Sequence, residues 1–345
     1  MQVDYIIVGL GLAGLAVTRE LVENNKSFIV FEDNSQNSSM VAGGIYNPVI
    51  LKRFTAVWNG ESQLKTAIPF YKALENKFQK RYHDPIDIYR IFQSIEEQNN
   101  WFMACEKPAL SNYMVPQIVS KNFKGVTAKF GFGKLTNTGR IITKTLLNDY
   151  RNYLATKNLI KNEQFKYAEV EITDEGITYN GINAQKIVFC EGFGLKENPF
   201  FKYLPMREVK GELLTIHAPD LNVNFLIKAA VFVLPLGNSF FKVGATFNWE
   251  DKTKLPTEEG KQELVSKLET FISTPYKIVG HTAGIRPTVK DRRPLVGKHP
   301  KYPNMAVLNG LGTRGVILAP ITAKALYNYL ENDIALPKEI SINRF

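Results

Sequence analysis

Two cysteines in 345 residues, Cys105 and Cys190, lie far apart and form no CxxC, which excludes a disulfide framework and a thiolate metal site. Histidine is scarce too. His83, His217, His281 and His299 show no metal-ligand spacing, so no metal is expected. No apolar run approaches the length of a bilayer span. The nearest, Tyr5 to Val17, is cut by Gly9, Gly11 and Gly14 and has no basic segment before it. Neither a membrane anchor nor a secretory signal is therefore expected, and the chain is read as soluble and cytoplasmic. Internal repeats and low-complexity linkers are absent. Lys plus Arg outnumber Asp plus Glu by 43 to 33, yet no run of five basic residues occurs. A net charge of +10 spread in this way favours an anionic partner, whether a carboxylate substrate, a phosphate-rich cofactor or nucleic acid, without choosing among them.

What is present is the ordinary balance of a globular protein, 44% apolar and 22% charged, in a chain long enough for two domains. Residues 2–8 read as a strand, a glycine turn and helix follow, and residues 27–31 read as a second strand ending at Glu32. Apolar residues at three- and four-residue steps predict a helix over 62–80, and further helices are predicted over 139–156, 257–273 and about 318–332. Residues 34–60 read as irregular. Strand-like pieces, among them IDIYRIF and GVTAKFGF, fill 85–135, and strand follows strand from 207 to 249. Because β-rich pieces alternate with α/β pieces, a discontinuous cofactor domain over 1–84, 136–206 and 284–345 is expected, with a substrate domain over 85–135 and 207–283.

The first turn carries the chemistry. Gly9-x-Gly11-x-x-Gly14 sits directly between a strand and a helix, with Leu12 and Ala13 opening that helix. Gly9 permits the tight turn, Gly11 lets backbone approach a pyrophosphate, and Gly14 lets helix and strand pack closely. The helix N-terminus then offers free N–H groups to phosphate. Glu32, followed by Asp33, stands where a carboxylate accepts the ribose hydroxyls and repels a 2′-phosphate. Three later segments favour FAD over a nicotinamide cofactor. IVFCEG runs a second strand into Gly192, Gly43-Gly44-Ile45-Tyr46-Asn47-Pro48 gives a flexible backbone beside a flat ring, and Gly312-Thr313-Arg314-Gly315-Val316 opens the last helix toward negative charge on that ring. Cys190 is read as a small buried apolar residue, so the flavin is expected to be non-covalent.

In order and spacing these segments, with VKGELL at 209–214, VFVLPLGNSFFKVGAT at 231–246 and AGIRPTVKDRRPLVG at 283–297, resemble the D-amino-acid oxidase and glycine oxidase superfamily of FAD enzymes over nearly the whole chain. The resemblance implies an α/β fold in which a Rossmann-type, glutathione-reductase-like FAD domain carries a β-rich, mixed-sheet substrate domain. It implies that Arg286, the Arg of the GIRP segment, grips a substrate carboxylate bidentately; the alternative is a structural ion pair with Asp291 or another acid. Phe232 stands where the family often has a tyrosine, so it is expected to wall the pocket without a hydroxyl. Tyr46 and Arg314 are further pocket candidates, while Lys52 and Arg53 are read as surface residues. GLGTRG together with AGGIYNP is also similar to the flavin domain of the bifunctional tRNA wobble-uridine modification enzyme. The expected reaction is oxidation of the C–N bond of a small amino acid or secondary amine bearing a carboxylate, by hydride transfer to flavin N5, with oxygen or another electron acceptor. Removal of a carboxymethyl group from a modified tRNA nucleoside, oxidation of a hydroxy acid, and flavin binding without amine turnover stay open beside it, and an RNA partner is the less favoured reading.

Overall fold

The first strand, Gln2–Val8, has five of its seven residues buried and lies in the parallel core of an eight-stranded mixed sheet, to which Gly176–Tyr179, Glu171–Thr173 and Leu295–Lys298 add antiparallel pairings. A computed structural model of the protein describes residues 1–173 and 176–345. Phe28–Phe31 and then Ile160–Lys161 pair in parallel on one side of the first strand, and Ile182–Phe189 and then Met305–Asn309 on the other. Strands covered on both faces are continuously apolar, as FIVF and the MAVL of Met305–Asn309 are. One face packs against the helices Leu12–Glu23, Gly60–Phe78, Thr143–Thr156 and Gly315–Glu331 through residues such as Leu15, Leu74, Leu147 and Leu326. The other face is covered by Phe165, Leu195, Phe201 and Leu204.

A second, eight-stranded sheet runs in the order Lys277–Val289, Met206–His217, Phe240–Gly244, Phe232–Gly237, Leu226–Lys228, Ile88–Ile91, Phe132–Leu135 and Met114–Val119. Only the pairing of Leu226–Lys228 with Ile88–Ile91 is parallel. Alternation along its strands divides the sheet's faces. Leu214, Ile216, Val233 and Val243 bury against Leu264 and Leu268 of the helix Glu258–Glu269, while Leu213, Phe232 and Gly244 face the cavity between the two sheets.

Three sequence expectations are corrected. Residues 95–105, read as part of a strand-like region, form the helix Ile95–Cys105. Its start is signalled locally: Ser94 Oγ accepts the Glu97 N–H at 3.1 Å, and Glu97 reaches back to the Gln93 N–H at 2.7 Å. Trp101 is fully buried on its inner face and donates to the Val115 carbonyl at 3.0 Å. GVTAKFGF forms turns up to Phe132, where the strand begins. Residues Gly139–Ile141, placed in a helix, instead form a strand between Ile45–Tyr46 and His83–Pro85, and the helix starts at Thr143. Residues 34–60 hold only the short helix Ser38–Val41 and two-residue strands.

Replacing Ser94 by Ala removes a cap and is expected to cost about 1 kcal/mol. The check is the urea midpoint, which is expected to fall at unchanged slope; an unmoved midpoint would remove the cap from the account.

Candidate functional site

The parallel strands of the first sheet end together, and a cavity of about 760 Å³ opens beyond those ends and runs under the second sheet. Gly9 begins it at φ +93°, and a Cβ there would meet the Cys190 carbonyl oxygen at 2.7 Å, so glycine is required where the turn passes under the neighbouring strand end. The helix Leu12–Glu23 starts at Gly11 with no side-chain cap, and the helix Gly315–Glu331 starts at Arg314, also with none. The one side chain near the first start is Ser39, whose Oγ accepts the Leu12 N–H at 3.3 Å. Two uncapped N-termini in one cavity present N–H donors and positive dipole ends to whatever binds there.

The residues singled out for the cofactor fall into this cavity with one exception. Gly9, Gly11, Leu12 and Ala13 line it from the first turn, Glu32 and Asp33 from the second strand end, and Gly43, Gly44 and Ile45 from the following loop. Gly192 lines it from the strand end at 189, and Gly312, Thr313, Arg314, Gly315 and Val316 from the last turn. Gly14 is off the wall and packs against the Gly9 carbonyl. Glu32 is buried; its carboxylate accepts the Leu10 N–H, accepts the Asn34 N–H at 2.8 Å, and pairs with Arg151 at 3.6 Å. Glycine turn, paired N-termini and buried carboxylate together fit an extended dinucleotide such as FAD.

The second sheet supplies the other wall. Arg286 leans over Gly211, where a Cβ would come within 1.9 Å of the guanidinium, so the strand must be bare at that point. Arg286 donates to the Thr246 carbonyl at 3.2 Å, and its guanidinium lies 4.5 Å from the Phe247 ring centre. Burial pushes the guanidinium down to about 10, still protonated near neutrality. The acid weighed as its structural partner, Asp291, binds Arg344 at 2.8 Å, and among the described residues no carboxylate pairs with Arg286. Phe232 lines the cavity with its ring tip beside Gly43. Half-buried Arg314 lines it too, its pKa lowered by burial and then by Arg292 and Arg293.

Tyr46 is a correction. It is buried away from this cavity, and its hydroxyl bonds His83 Nε2 at 2.7 Å, because the strand Ile45–Tyr46 turns alternate side chains to opposite sides and only Ile45 reaches the cavity. Lys52 and Arg53 are exposed on a turn, as expected.

Three residues escaped the sequence reading. Arg151 reaches Glu32 from the helix Thr143–Thr156, a contact with no local signal. Glu191 follows its strand as Glu32 follows the second strand, a parallel that is visible in the sequence. Its carboxyl accepts from the Tyr167 hydroxyl and from Asn198 Nδ2 at 2.8 Å, and burial, outweighing those bonds, raises it to about 7. Lys228 lines the same cavity from the second sheet.

A family model described as FAD dependent oxidoreductase matches residues 4–328. The tRNA 5-methylaminomethyl-2-thiouridine biosynthesis bifunctional protein of Marinobacter nauticus is 20% identical over 93% of this chain and 54% of its own length. Glycine oxidase of Bacillus subtilis is 27% identical over 43% of this chain and 41% of its own length. The chain thus spans about half the length of these curated relatives, or less. In fold, glycine oxidase from Geobacillus kaustophilus superposes with a TM-score of 0.81 at 17% identity, over 100% of this chain and 99% of that one. No described helix is long and apolar enough to cross a membrane.

Glu32→Ala is expected to lower retained flavin several-fold after purification, read from the ratio of flavin to protein absorbance; unchanged content would detach Glu32 from the cofactor. For Glu191, the folded chain binds the proton more tightly than the unfolded one, whose carboxyl titrates near 4.5. Stability is therefore lost as pH rises from about 4.5 to about 7. Thermal midpoints of flavin-free protein at pH 5 and pH 7.5 are expected to differ less in Glu191→Gln than in the parent, and an equal difference would refute the raised carboxyl.

Proposed function

The chain belongs to the FAD dependent oxidoreductase family, and from that premise we propose that it oxidises the C–N bond of a small amino acid or secondary amine bearing a carboxylate. One observation carries this reading: a guanidinium without an acidic partner among the described residues, held over a bare glycine on the cavity wall opposite the glycine turn. Such a cation in partly buried surroundings favours an anion that arrives from outside.

Bound non-covalently, FAD supplies the acceptor for the two electrons that leave the substrate. Arg286 fixes the carboxylate through its unengaged N–H groups, which limits the orientations of the adjacent carbon and lowers the entropic part of the barrier. Phe232 and Leu213 close the wall with apolar surface and keep water from the reacting carbon. The carboxylates lining the cavity are Glu32, Asp33, Glu163, Glu191 and Glu197, all from the cofactor side, and no histidine is among the described lining residues. The amine is therefore taken to react as the free base, with no protein carboxylate or imidazole receiving a proton. Cys190 stays a buried, protonated thiol, its pKa raised by burial, which supports a non-covalent flavin. Oxygen or another acceptor closes the cycle.

A second reading has its own support. Arg314, at the cavity, neighbours exposed Arg292 and half-exposed Arg293, and Arg293 lies 4.7 Å from the Trp58 ring centre. A basic, aromatic rim of this kind suits a nucleic acid, and the Marinobacter relative named above acts in tRNA thiouridine biosynthesis. On this reading the amine is a carboxymethylaminomethyl group on a tRNA base.

The deciding experiment adds glycine, sarcosine, D-amino acids, L-proline and a carboxymethylaminomethyl-uridine RNA to the flavoprotein without oxygen. Bleaching of the flavin band by a small amine supports the first reading. Bleaching by the RNA alone supports the second, and no bleaching by any of them would overturn both. With the active substrate, Arg286→Met is expected to cost about 2–5 kcal/mol of binding, or at least about 30-fold in kcat/KM, mostly through KM. Unchanged kinetics would remove Arg286 from the site.

A further inference from the structure

Lys228, Lys267 and Arg314 line the cavity besides Arg286, and of these Lys228 has neither a part in the readings above nor an acidic partner among the described residues. Lys228 ends the short strand Leu226–Lys228, and its direct cross-strand partner is Phe232. Phe232 is paired in turn with Gly244, and Gly244 with Leu213. Cross-strand partners share a sheet face, so Leu213, Gly244, Phe232 and Lys228 form one row across the wall, and all four line the cavity. Arg286 approaches that row from the edge strand, its guanidinium displaced inward over Gly211. The row meets the edge strand at Thr282, four residues from Arg286, so with four strand spacings between them the backbones of Arg286 and Lys228 are roughly 23 Å apart; the Arg286 guanidinium shortens that span by leaning over Gly211.

The neighbouring cations are already neutralised. Arg90, opposite Lys228 on the next strand, pairs with Glu97 at 2.7 Å, and Lys267 of the helix Glu258–Glu269 pairs with Glu263 at 2.5 Å. Among the described residues the Lys228 ammonium has neither a carboxylate partner nor a hydrogen bond. Burial, then Arg90 and Lys267, lower it to about 8, so most of it still carries a proton at neutral pH. An ammonium held in that environment without a partner stabilises nothing within the chain; an anion brought into the cavity would pair with it.

We propose that Lys228 is a second anion-recognition residue of the substrate cavity, and that the preferred substrate is an N-substituted amino acid whose second arm ends in a carboxylate. This rests on the assignment of the first carboxylate to Arg286. Arg286 takes the carboxylate next to the oxidised carbon, the apolar row of Leu213, Gly244 and Phe232 faces the middle of the molecule, and Lys228 takes the far end.

The test uses the flavin-loaded protein and unreactive acids, so that binding is read apart from turnover. Acetate, malonate, succinate and glutarate are titrated against the visible flavin spectrum. One diacid is expected to bind at least tenfold more tightly than acetate. That advantage is expected to vanish in Lys228→Met and to survive in Lys228→Arg, with acetate affinity the same in all three proteins. In turnover, the kcat/KM ratio of iminodiacetate to sarcosine is expected to fall at least tenfold in Lys228→Met. Equal binding of acetate and every diacid by the parent protein would overturn the role of Lys228 and leave that of Arg286 standing, as would a diacid advantage that persists in Lys228→Met. A flavin spectrum that no carboxylate perturbs would overturn both.

Discussion

The helices Leu12–Glu23 and Gly315–Glu331 both begin at one cavity, and neither has an N-cap side chain to occupy its first N–H groups. The first turn of any helix leaves backbone N–H groups without internal partners, and water satisfies them only where water reaches. Here the starts are lined by glycine and by the backbone of adjacent turns, so the natural complement is an acceptor-rich, negatively charged ligand. The parallel sheet makes the coincidence unavoidable. The strands Gln2–Val8 and Met305–Asn309 run the same way on either side of Ile182–Phe189, so the helices that follow them both start at the sheet's carboxyl edge. The contact of Gly9 with the Cys190 carbonyl then fixes how closely the two strand ends approach.

From that constraint follows a division of charge within the cavity. Carboxyl groups come from the loops and strand ends of the first sheet, where Glu32, Asp33 and Glu191 line the cavity. The cations of the second-sheet strands, Arg286 and Lys228, line the opposite wall. The division keeps the two ends from cancelling each other. Had Glu191 faced Arg286, the pair would have closed into a structural salt bridge and left no cation for an incoming carboxylate. Glu191 is instead occupied by Tyr167 and Asn198, and Asp291 by Arg344.

The parts legible in the sequence are those whose signal is local. A glycine turn between strand and helix, a carboxylate at the next strand end and a glycine-rich opening of the last helix are each written in a few adjacent residues, and their order makes the resemblance specific. The helix Ile95–Cys105 is equally legible at its start, through Ser94 and Glu97. It buries only Trp101, Ala104 and Cys105, too few to write a periodic apolar stripe, and its β-rich neighbours mask it. Tyr46 was misplaced because one residue of register in a two-residue strand exchanges the cavity for the core. Arg151 and Lys228 carry no local signal. Arg151 meets Glu32 only because a helix and a strand end over a hundred residues apart are brought together, and Lys228 reaches the cavity only because a three-residue strand pairs with Phe232.

The residue between the two cations has the last word on selectivity. Phe232 stands where the wider family often has a tyrosine, so this wall offers a substrate no phenolic donor beside Arg286. Removing a hydroxyl from a pocket wall relaxes the demand for a matching acceptor, since an unpaired polar group on either side is what makes such sites discriminating. With Leu213 and Gly244 beside it, the middle of the wall distinguishes substrates only by shape. On the proposed reading, discrimination therefore passes to the fixed charges of Arg286 and Lys228, which would bind a carboxylate in place and repel an ammonium in the same place.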